Sequence, residues 1–125
     1  MNKKLLACAF IALFHLSSHA IEGTYLGTGI DPYLQKPYTS KTVITKDLND
    51  VYQATWNEEE DGEKYTFTGT GLKVGDQVNF IFKGVSVEDS LTIGLQNYKI
   101  SGNTLEGSFV YLNKNLVGKE KLVKQ

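Results

Sequence analysis

Arginine is absent from the 125-residue chain, and cysteine, methionine and histidine are nearly absent. Met1, Cys8, His15 and His19 are the only residues of the latter three types, and all four lie within the first twenty positions. A chain that loses this segment has no thiol, imidazole or guanidinium group. Disulfides, Cys or His nucleophiles, thiolate or imidazole metal sites and arginine clamps are then excluded, because each needs one of those side chains. We expect neither a metal site nor a cofactor.

The first twenty residues, MNKKLLACAFIALFHLSSHA, have the pattern of an export signal. Two lysines precede an apolar run over residues 5–16, and the segment ends in the small residue Ala20. The apolar run is too short to span a bilayer. The pattern therefore predicts a signal peptide over residues 1–20, cleaved after Ala20, and a protein that is periplasmic or secreted.

The chain that remains after cleavage is expected to be one acidic domain over residues 21–125. Cleavage removes two of the 13 lysines and none of the 14 acidic residues, so the formal net charge changes from −1 to −3. An acidic balance without basic clusters argues against nucleic acid and anionic membrane surfaces as main partners. The length suits a single domain with one core, and no transmembrane span interrupts it.

Apolar and polar residues alternate with period two through nearly all of residues 21–125, and no window shows an apolar stripe at helical spacing. Short turn signals such as Asp61-Gly62 separate eight candidate strands. The expected strands are Gly23–Ile30, Tyr38–Lys46, Val51–Glu58, Glu63–Leu72, Asp76–Lys83, Ser90–Ile100, Thr104–Leu112 and Leu116–Val123. Short connections favour an all-β fold, a small up-and-down antiparallel barrel of about eight strands, which has no free edges. A two-sheet β-sandwich is the alternative, although it needs longer crossovers.

Two similar glycine-containing stretches, GTYLGTGI and KYTFTGTGL, fall on the first and fourth expected strands. Strand alternation places Tyr25 with two glycines on one face, and Phe67 with two glycines likewise. Inward glycines suit strands that coil sharply or approach another backbone closely. A dinucleotide-binding loop is excluded, because neither stretch has the third glycine or a following helix.

Trp56, Tyr52 and Phe80 are the candidate aromatic residues of a ligand pocket. Trp56 is the only tryptophan and shares a strand face with Tyr52, while Phe80 and Phe82 lie on a later strand. Large aromatic residues dominate cores, so a packing role is favoured. The wall of an apolar pocket is lined by the same residue types, and that interpretation stays open.

Glu120 is the candidate polar residue of the same pocket. Strand parity in LVGKEKL places it with Leu116, Gly118 and Leu122, which predicts an inward carboxylate on the last strand. A buried carboxylate needs a partner, and lysine, tyrosine and backbone N–H groups are the available ones. An exposed glutamate on a frayed strand is the alternative.

The acidic run over residues 58–61 raises the question of calcium, which prefers carboxylate ligands. The run lacks the ligand spacing and central glycine of an EF-hand loop. A solvated hairpin tip is the favoured interpretation, since charged residues at turns usually serve solubility.

Catalysis by carboxylates alone, as in glycosidases, is the remaining enzymatic possibility. The candidate acids are Asp31, Asp76, Glu106 and Glu120, which nothing in the linear sequence brings together. A carboxylate-dependent hydrolase of envelope or extracellular glycans is therefore the alternative to a non-enzymatic protein.

The order of short motifs resembles small exported bacterial proteins often labelled fibronectin-binding, which look like compact lipocalin-type β-barrels. The matching pieces are Gly23-x-Tyr25-x-Gly27, Pro37-Tyr38, TVITK, Val51-Tyr52 with Trp56, Tyr65 with Gly69-Thr70-Gly71-Leu72, Gly75-Asp76, Phe80-x-Phe82, Tyr98-x-Ile100, Leu105-x-Gly107 and Gly118-x-Glu120-x-Leu122. The chain departs from the group in its acidic tip and in having Phe109 and Tyr111 where the group has a tryptophan. The resemblance implies the barrel fold and extracytoplasmic binding, and it assigns no binding residues.

Together these features predict a non-enzymatic exported binding protein. One version places a small apolar ligand inside the barrel near Trp56. The other version has an extracellular or host protein engaged by the loop from Tyr33 to Tyr38, with Tyr33 and Tyr38 as the partner-binding residues.

Overall fold

Eight antiparallel strands, paired in chain order, close into one barrel in the computed structural model, which describes residues 20–85 and 91–125. The strands are β1 (Gly23–Ile30), β2 (Pro37–Lys46), β3 (Val51–Glu60), β4 (Glu63–Val74), β5 (Gln77–Val85), β6 (Leu91–Ser101), β7 (Thr104–Tyr111) and β8 (Leu116–Lys124). One turn of 3₁₀ helix, Leu48–Asp50, precedes β3. The expected signal peptide, apart from Ala20, lies outside the described residues. The described part contains no helix long and apolar enough to cross a bilayer.

The barrel closes because β1 pairs with β8 as well as with β2. The closing pairs run from Tyr25 opposite Lys124 to Ile30 opposite Lys119. The predicted up-and-down barrel is thus confirmed and the two-sheet sandwich is wrong. The expected strand limits agree with the observed ones to within two residues, since the turn signals and the two-residue alternation specify the same register.

The two ends of the barrel differ. We call the end that carries the connections 31–36, 61–62 and 112–115 the upper end, and the opposite end, with 47–50, 75–76 and 102–103, the lower end. At the lower end Ile21 is only 1% exposed, and its carbonyl oxygen accepts a 2.7 Å hydrogen bond from the Tyr25 hydroxyl. The chain before β1 therefore helps to close the lower end.

Inward side chains from all eight strands fill the barrel. The buried apolar residues are Ile21, Tyr25, Tyr38, Ile44, Tyr52, Ala54, Trp56, Phe67, Val78, Phe80, Phe82, Tyr98, Leu105, Phe109 and Leu122. Glycines make room for the rings: a Cβ at Gly71 would lie 2.5 Å from the Phe80 ring, and one at Gly29 would lie 2.5 Å from the Tyr38 ring. The expectation that these glycines face inward and allow close approach is confirmed.

The β6–β7 ladder has a gap that a side chain bridges. Register pairs link Gln96 with Phe109 and Lys99 with Glu106, and none joins the residues between them. The buried Gln96 amide donates to the carbonyl oxygens of Asn97 at 2.9 Å and Ser108 at 3.1 Å. A side-chain amide thus satisfies backbone acceptors in the sheet, as buried polar groups require.

Candidate functional site

A small cavity lies in the upper half of the barrel. Its volume is about 20 Å³, which is room for roughly one water-sized group. About 260 Å³ of space free of protein atoms surrounds it, counted together with adjoining open solvent. The lining residues are Tyr38, Trp56, Glu58, Phe67, Phe82, Gln96, Phe109, Tyr111 and Glu120. The site thus combines six aromatic rings with two carboxyl groups and one amide.

A chain of hydrogen bonds anchors one side of this cavity. Glu120, which is 4% exposed, accepts from the Tyr38 hydroxyl at 2.7 Å and from the Tyr98 hydroxyl at 2.5 Å. The Trp56 indole N–H donates in turn to the Tyr98 hydroxyl oxygen at 2.8 Å. Every described buried side-chain nitrogen or oxygen has a partner, so this polar network is satisfied within the barrel.

Three edge-to-face ring contacts and one tilted contact, between Phe109 and Tyr111, complete the circuit on the other side. The distances between ring centroids are 6.0 Å for Trp56 and Phe82, 6.1 Å for Phe82 and Tyr111, 5.6 Å for Phe109 and Tyr111, and 6.5 Å for Tyr38 and Phe109. These separations are typical of favourable aromatic pairs. The circuit of rings and hydrogen bonds returns to Tyr38, and it includes six of the nine residues that line the cavity.

Burial shifts the ionisation of the groups in this network. It raises the pKa of the Glu120 carboxyl, although the hydrogen bonds from Tyr38 and Tyr98 offset part of the effect. Burial and the neighbouring Glu120 carboxylate raise the pKa values of the Tyr38 and Tyr98 hydroxyls as well. Both tyrosines therefore remain hydrogen-bond donors across the physiological pH range.

Two further glutamates on β3 point inward toward the upper end. Burial and the neighbouring Glu120, Glu60 and Asp31 carboxylates raise the pKa of Glu58 well above its ordinary value. Burial and the adjacent Asp31 carboxyl raise the pKa of Glu60 to about 7. The described residues contain no group of three or more acids, histidines or cysteines arranged to hold a metal ion. Several carboxyl groups thus cluster at the upper end, but among the described residues they are not arranged to bind a metal ion.

The β1–β2 connection is folded and tied to its neighbours. One carboxylate oxygen of Asp31 accepts from the backbone N–H groups of Tyr33 at 2.8 Å and Leu34 at 3.3 Å. Lys36 forms an ion pair with Asp61 in the β3–β4 turn. The Lys114 ammonium lies 3.9 Å from the centre of the Tyr33 ring. These contacts hold the connection across part of the upper end.

Four residues were predicted to line a ligand pocket, and two of them line the cavity in the structure. Trp56 and Glu120 line the cavity, and the prediction that Glu120 points inward is confirmed. Tyr52 and Phe80 are buried core residues outside the cavity lining. Trp56 also packs edge-to-face on Phe80, with 5.5 Å between ring centroids, so it has both the packing role and the pocket role.

The two residues predicted for a partner-binding loop differ in exposure. Tyr33 is 50% exposed in the β1–β2 connection. Tyr38 is 5% exposed, because β2 begins at Pro37 and the alternation of the strand turns the next side chain into the barrel. The assignment of Tyr38 to an exposed partner loop is therefore wrong.

The acidic run over residues 58–61 is only partly the solvated tip that was predicted. Glu59 and Asp61 are exposed, but Glu60 is 7% exposed and Glu58 is half-buried at the cavity. Strand β3 continues to Glu60, so every second side chain still faces inward. The solvated-tip interpretation is wrong for these two glutamates.

The candidate acids of a hydrolase lie apart. Asp76 is in the β4–β5 turn at the lower end, and Glu106 faces outward on β7. Asp31 lies at the upper end, and Glu120 lies inside the barrel. Of these four acids only Glu120 lines the cavity.

Sequence reasoning did not assign six of the nine cavity-lining residues to a site: Glu58, Phe67, Phe82, Gln96, Phe109 and Tyr111. It also missed Tyr98, which forms hydrogen bonds with Trp56 and Glu120. A usable signal existed for Glu58, since it shares strand parity with Tyr52 and Trp56 in VYQATWNEE. Gln96 and Tyr98 share parity on β6 in the same way. Tyr98 bonds to Trp56 on β3 and to Glu120 on β8, across the inside of the barrel, and sequence alone does not show that these strands meet.

Designed β-barrels are among the solved structures with a similar shape. The redesigned β-barrel mFAP1, solved bound to DFHBI, has a TM-score of 0.73 and 10% sequence identity, covering 86% of this chain and 98% of its own. The redesigned barrel b11L5F_LGL has a TM-score of 0.69 at 12% identity, covering 87% and 95%. A de novo designed fluorescence-activating β-barrel has a TM-score of 0.64 at 12% identity, covering 87% and 97%.

The sequence comparisons do not assign the chain to a family. No protein-family model matches the chain, and no curated protein matches it. Structural likeness at 10–12% identity shows a common fold alone. The chain is similar to small closed β-barrels.

Proposed function

We propose that the protein is an exported, non-enzymatic binding protein that holds one small ligand in the cavity at the upper end of the barrel. The observation that carries this proposal is the cavity itself, which is lined by six aromatic rings and two carboxyl groups. Concave sites with apolar walls and a few convergent polar groups are the usual form of small-ligand sites. Export rests on the predicted signal peptide over residues 1–20.

The distribution of filled and open space supports a site at the upper end. The lower end is closed by Ile21 and the large side chains above it, whereas the cavity lies among residues from the upper halves of the strands. A barrel of the same architecture, mFAP1, was solved bound to DFHBI, so this fold is compatible with ligand binding. Eight-stranded barrels are wide enough to hold one small ligand.

Binding accounts for the site better than hydrolysis does. A carboxylate mechanism needs two acids on opposite sides of the bond to be cleaved, with room for a sugar between them. The four candidate acids do not supply such a pair, because only Glu120 lines the cavity and Asp76 and Glu106 lie away from it. A protein partner at the β1–β2 connection is the other version of the binding role, and it retains Tyr33 alone because Tyr38 is buried.

Trp56 fluorescence provides a direct test, because this residue is the only tryptophan and lines the cavity. We expect 1-hexanol or n-hexylammonium to change the emission in a saturable manner with one equivalent bound. Phe82→Leu should alter the affinity at least threefold, since Phe82 contacts Trp56 and lines the same cavity.

Ile81→Leu is the matched control, because Ile81 is next to Phe82 and faces outward. The control should leave the titration unchanged. The proposal is overturned if neither probe changes the Trp56 emission, or if the inward and outward variants alter it equally.

A further inference from the structure

The interior of the barrel holds acids but no base. Each lysine in the described part of the chain is exposed or only half-buried, and the chain contains no arginine. Two tyrosine hydroxyls donate to Glu120, whereas no hydrogen bond lowers the pKa of Glu58. Burial and the neighbouring Glu120, Glu60 and Asp31 carboxylates raise that pKa, because both disfavour the ionised form of Glu58. A cation from outside would favour that ionised form.

The walls of the cavity suit a cation as well. Six aromatic residues line it, and the ring contacts described above hold them around the carboxyl groups. Aromatic faces attract ammonium groups, and the attraction strengthens where water is excluded. The combination of rings and carboxyl groups favours a positively charged ligand over a neutral or negative one.

The volume limits the size of the charged group. About 20 Å³ admits a group the size of a water molecule, and a primary ammonium has that size. A trimethylammonium group would require the rings to move apart. The surrounding space of about 260 Å³, which includes open solvent, leaves room for a chain that leads out of the barrel.

We infer that the ligand of this site is a primary alkylammonium ion. Its ammonium group lies against the Glu58 and Glu120 carboxyl groups, and its alkyl chain runs along the rings of Phe67, Phe82 and Tyr111 toward the upper end. This inference rests on the proposed small-ligand function and adds the chemical class of the ligand. Glu58 is the specificity-determining residue, because Glu120 is already engaged by Tyr38 and Tyr98.

The test compares n-hexylammonium with 1-hexanol, which has the same chain and no charge. Trp56 fluorescence and calorimetry on the full protein measure both affinities at about pH 7.5, where an alkylammonium is charged. We expect the wild type to bind n-hexylammonium at least tenfold more tightly than 1-hexanol. Glu58→Gln keeps the size of the side chain and removes its charge, so it should abolish that preference.

Glu59→Gln is the matched control, since Glu59 is the exposed neighbour on the same strand. It changes net charge equally and should retain the preference for n-hexylammonium. Circular dichroism verifies that both variants are folded. The inference is overturned if 1-hexanol binds as tightly as n-hexylammonium, or if Glu58→Gln keeps the preference. If 1-hexanol binds as tightly, the small-ligand function stands with a neutral ligand. If Glu58→Gln keeps the preference, the function stands but Glu58 does not recognise the charge. Loss of binding by both probes overturns both proposals.

Discussion

Glu120→Ala should lower the free energy of unfolding by about 3–5 kcal/mol. The substitution leaves the buried Tyr38 and Tyr98 hydroxyls without their acceptor, and each unsatisfied group costs about 1–3 kcal/mol. It also leaves an empty space in the barrel, which adds a cavity cost. Such a loss is a large part of the roughly 5–15 kcal/mol that stabilises an ordinary domain. Urea unfolding of the wild type and the variant measures it.

Two further variants distinguish the stability lost with the hydrogen bonds from the stability lost with the side-chain volume. Glu120→Gln keeps an acceptor oxygen and should cost about 1–2 kcal/mol less than the alanine variant. Tyr38→Phe should destabilise the wild type by about 1–2 kcal/mol but should have little effect in the Glu120→Ala background, because the two residues share one hydrogen bond. Additive costs for Tyr38→Phe and Glu120→Ala would contradict the proposed coupling.

Mild acid should stabilise the protein, contrary to the usual behaviour of carboxylate-rich domains. The pKa values of Glu58, Glu60 and Glu120 are all raised in the folded state, so the folded protein binds these protons more tightly than the unfolded chain does. Stability is then highest near the unfolded value of 4.5 and falls as the pH rises, in the case of Glu60 until about 7.

Thermal unfolding at pH 5, 6, 7 and 8 measures this effect. The midpoint should fall from pH 5 to pH 8, and Glu60→Gln should reduce the slope because it removes one of the titrating groups. The exposed neighbour Glu59 provides the control variant Glu59→Gln, which should leave the slope unchanged. The raised pKa values of Lys36 and Lys46 act only in alkaline solution, outside this range. A midpoint that rises from pH 5 to pH 8 would contradict the burial of these acids.

The fold was readable from the sequence because its determinants are local. Two-residue alternation, turn signals such as Asp61-Gly62 and the inward glycines each act over a few residues, and together they specify the strands and their faces. The end of β3 was the exception. The charges of residues 58–61 suggested solvent, but the strand continues to Glu60 and the barrel buries two of the glutamates.

The site was less predictable because its contacts join distant parts of the chain. Tyr38 and Glu120 are 82 positions apart, and Trp56 and Tyr98 are 42 apart. The alternation of side chains along each strand predicted that Glu120 and Trp56 point inward, but it could not show which tyrosines form hydrogen bonds with them. Tyr38 was expected both to begin a strand and to bind a partner at the end of the loop from Tyr33, whereas β2 begins at Pro37 and turns the Tyr38 side chain into the barrel.

Native mass spectrometry of the protein, purified from producing cells and compared with its mass under denaturing conditions, tests the central claim most directly. The account predicts either a retained small molecule that is lost on denaturation or, for a protein purified empty, one bound equivalent after incubation with n-hexylammonium. A bare mass both as purified and after incubation with n-hexylammonium and 1-hexanol would contradict a ligand site inside the barrel.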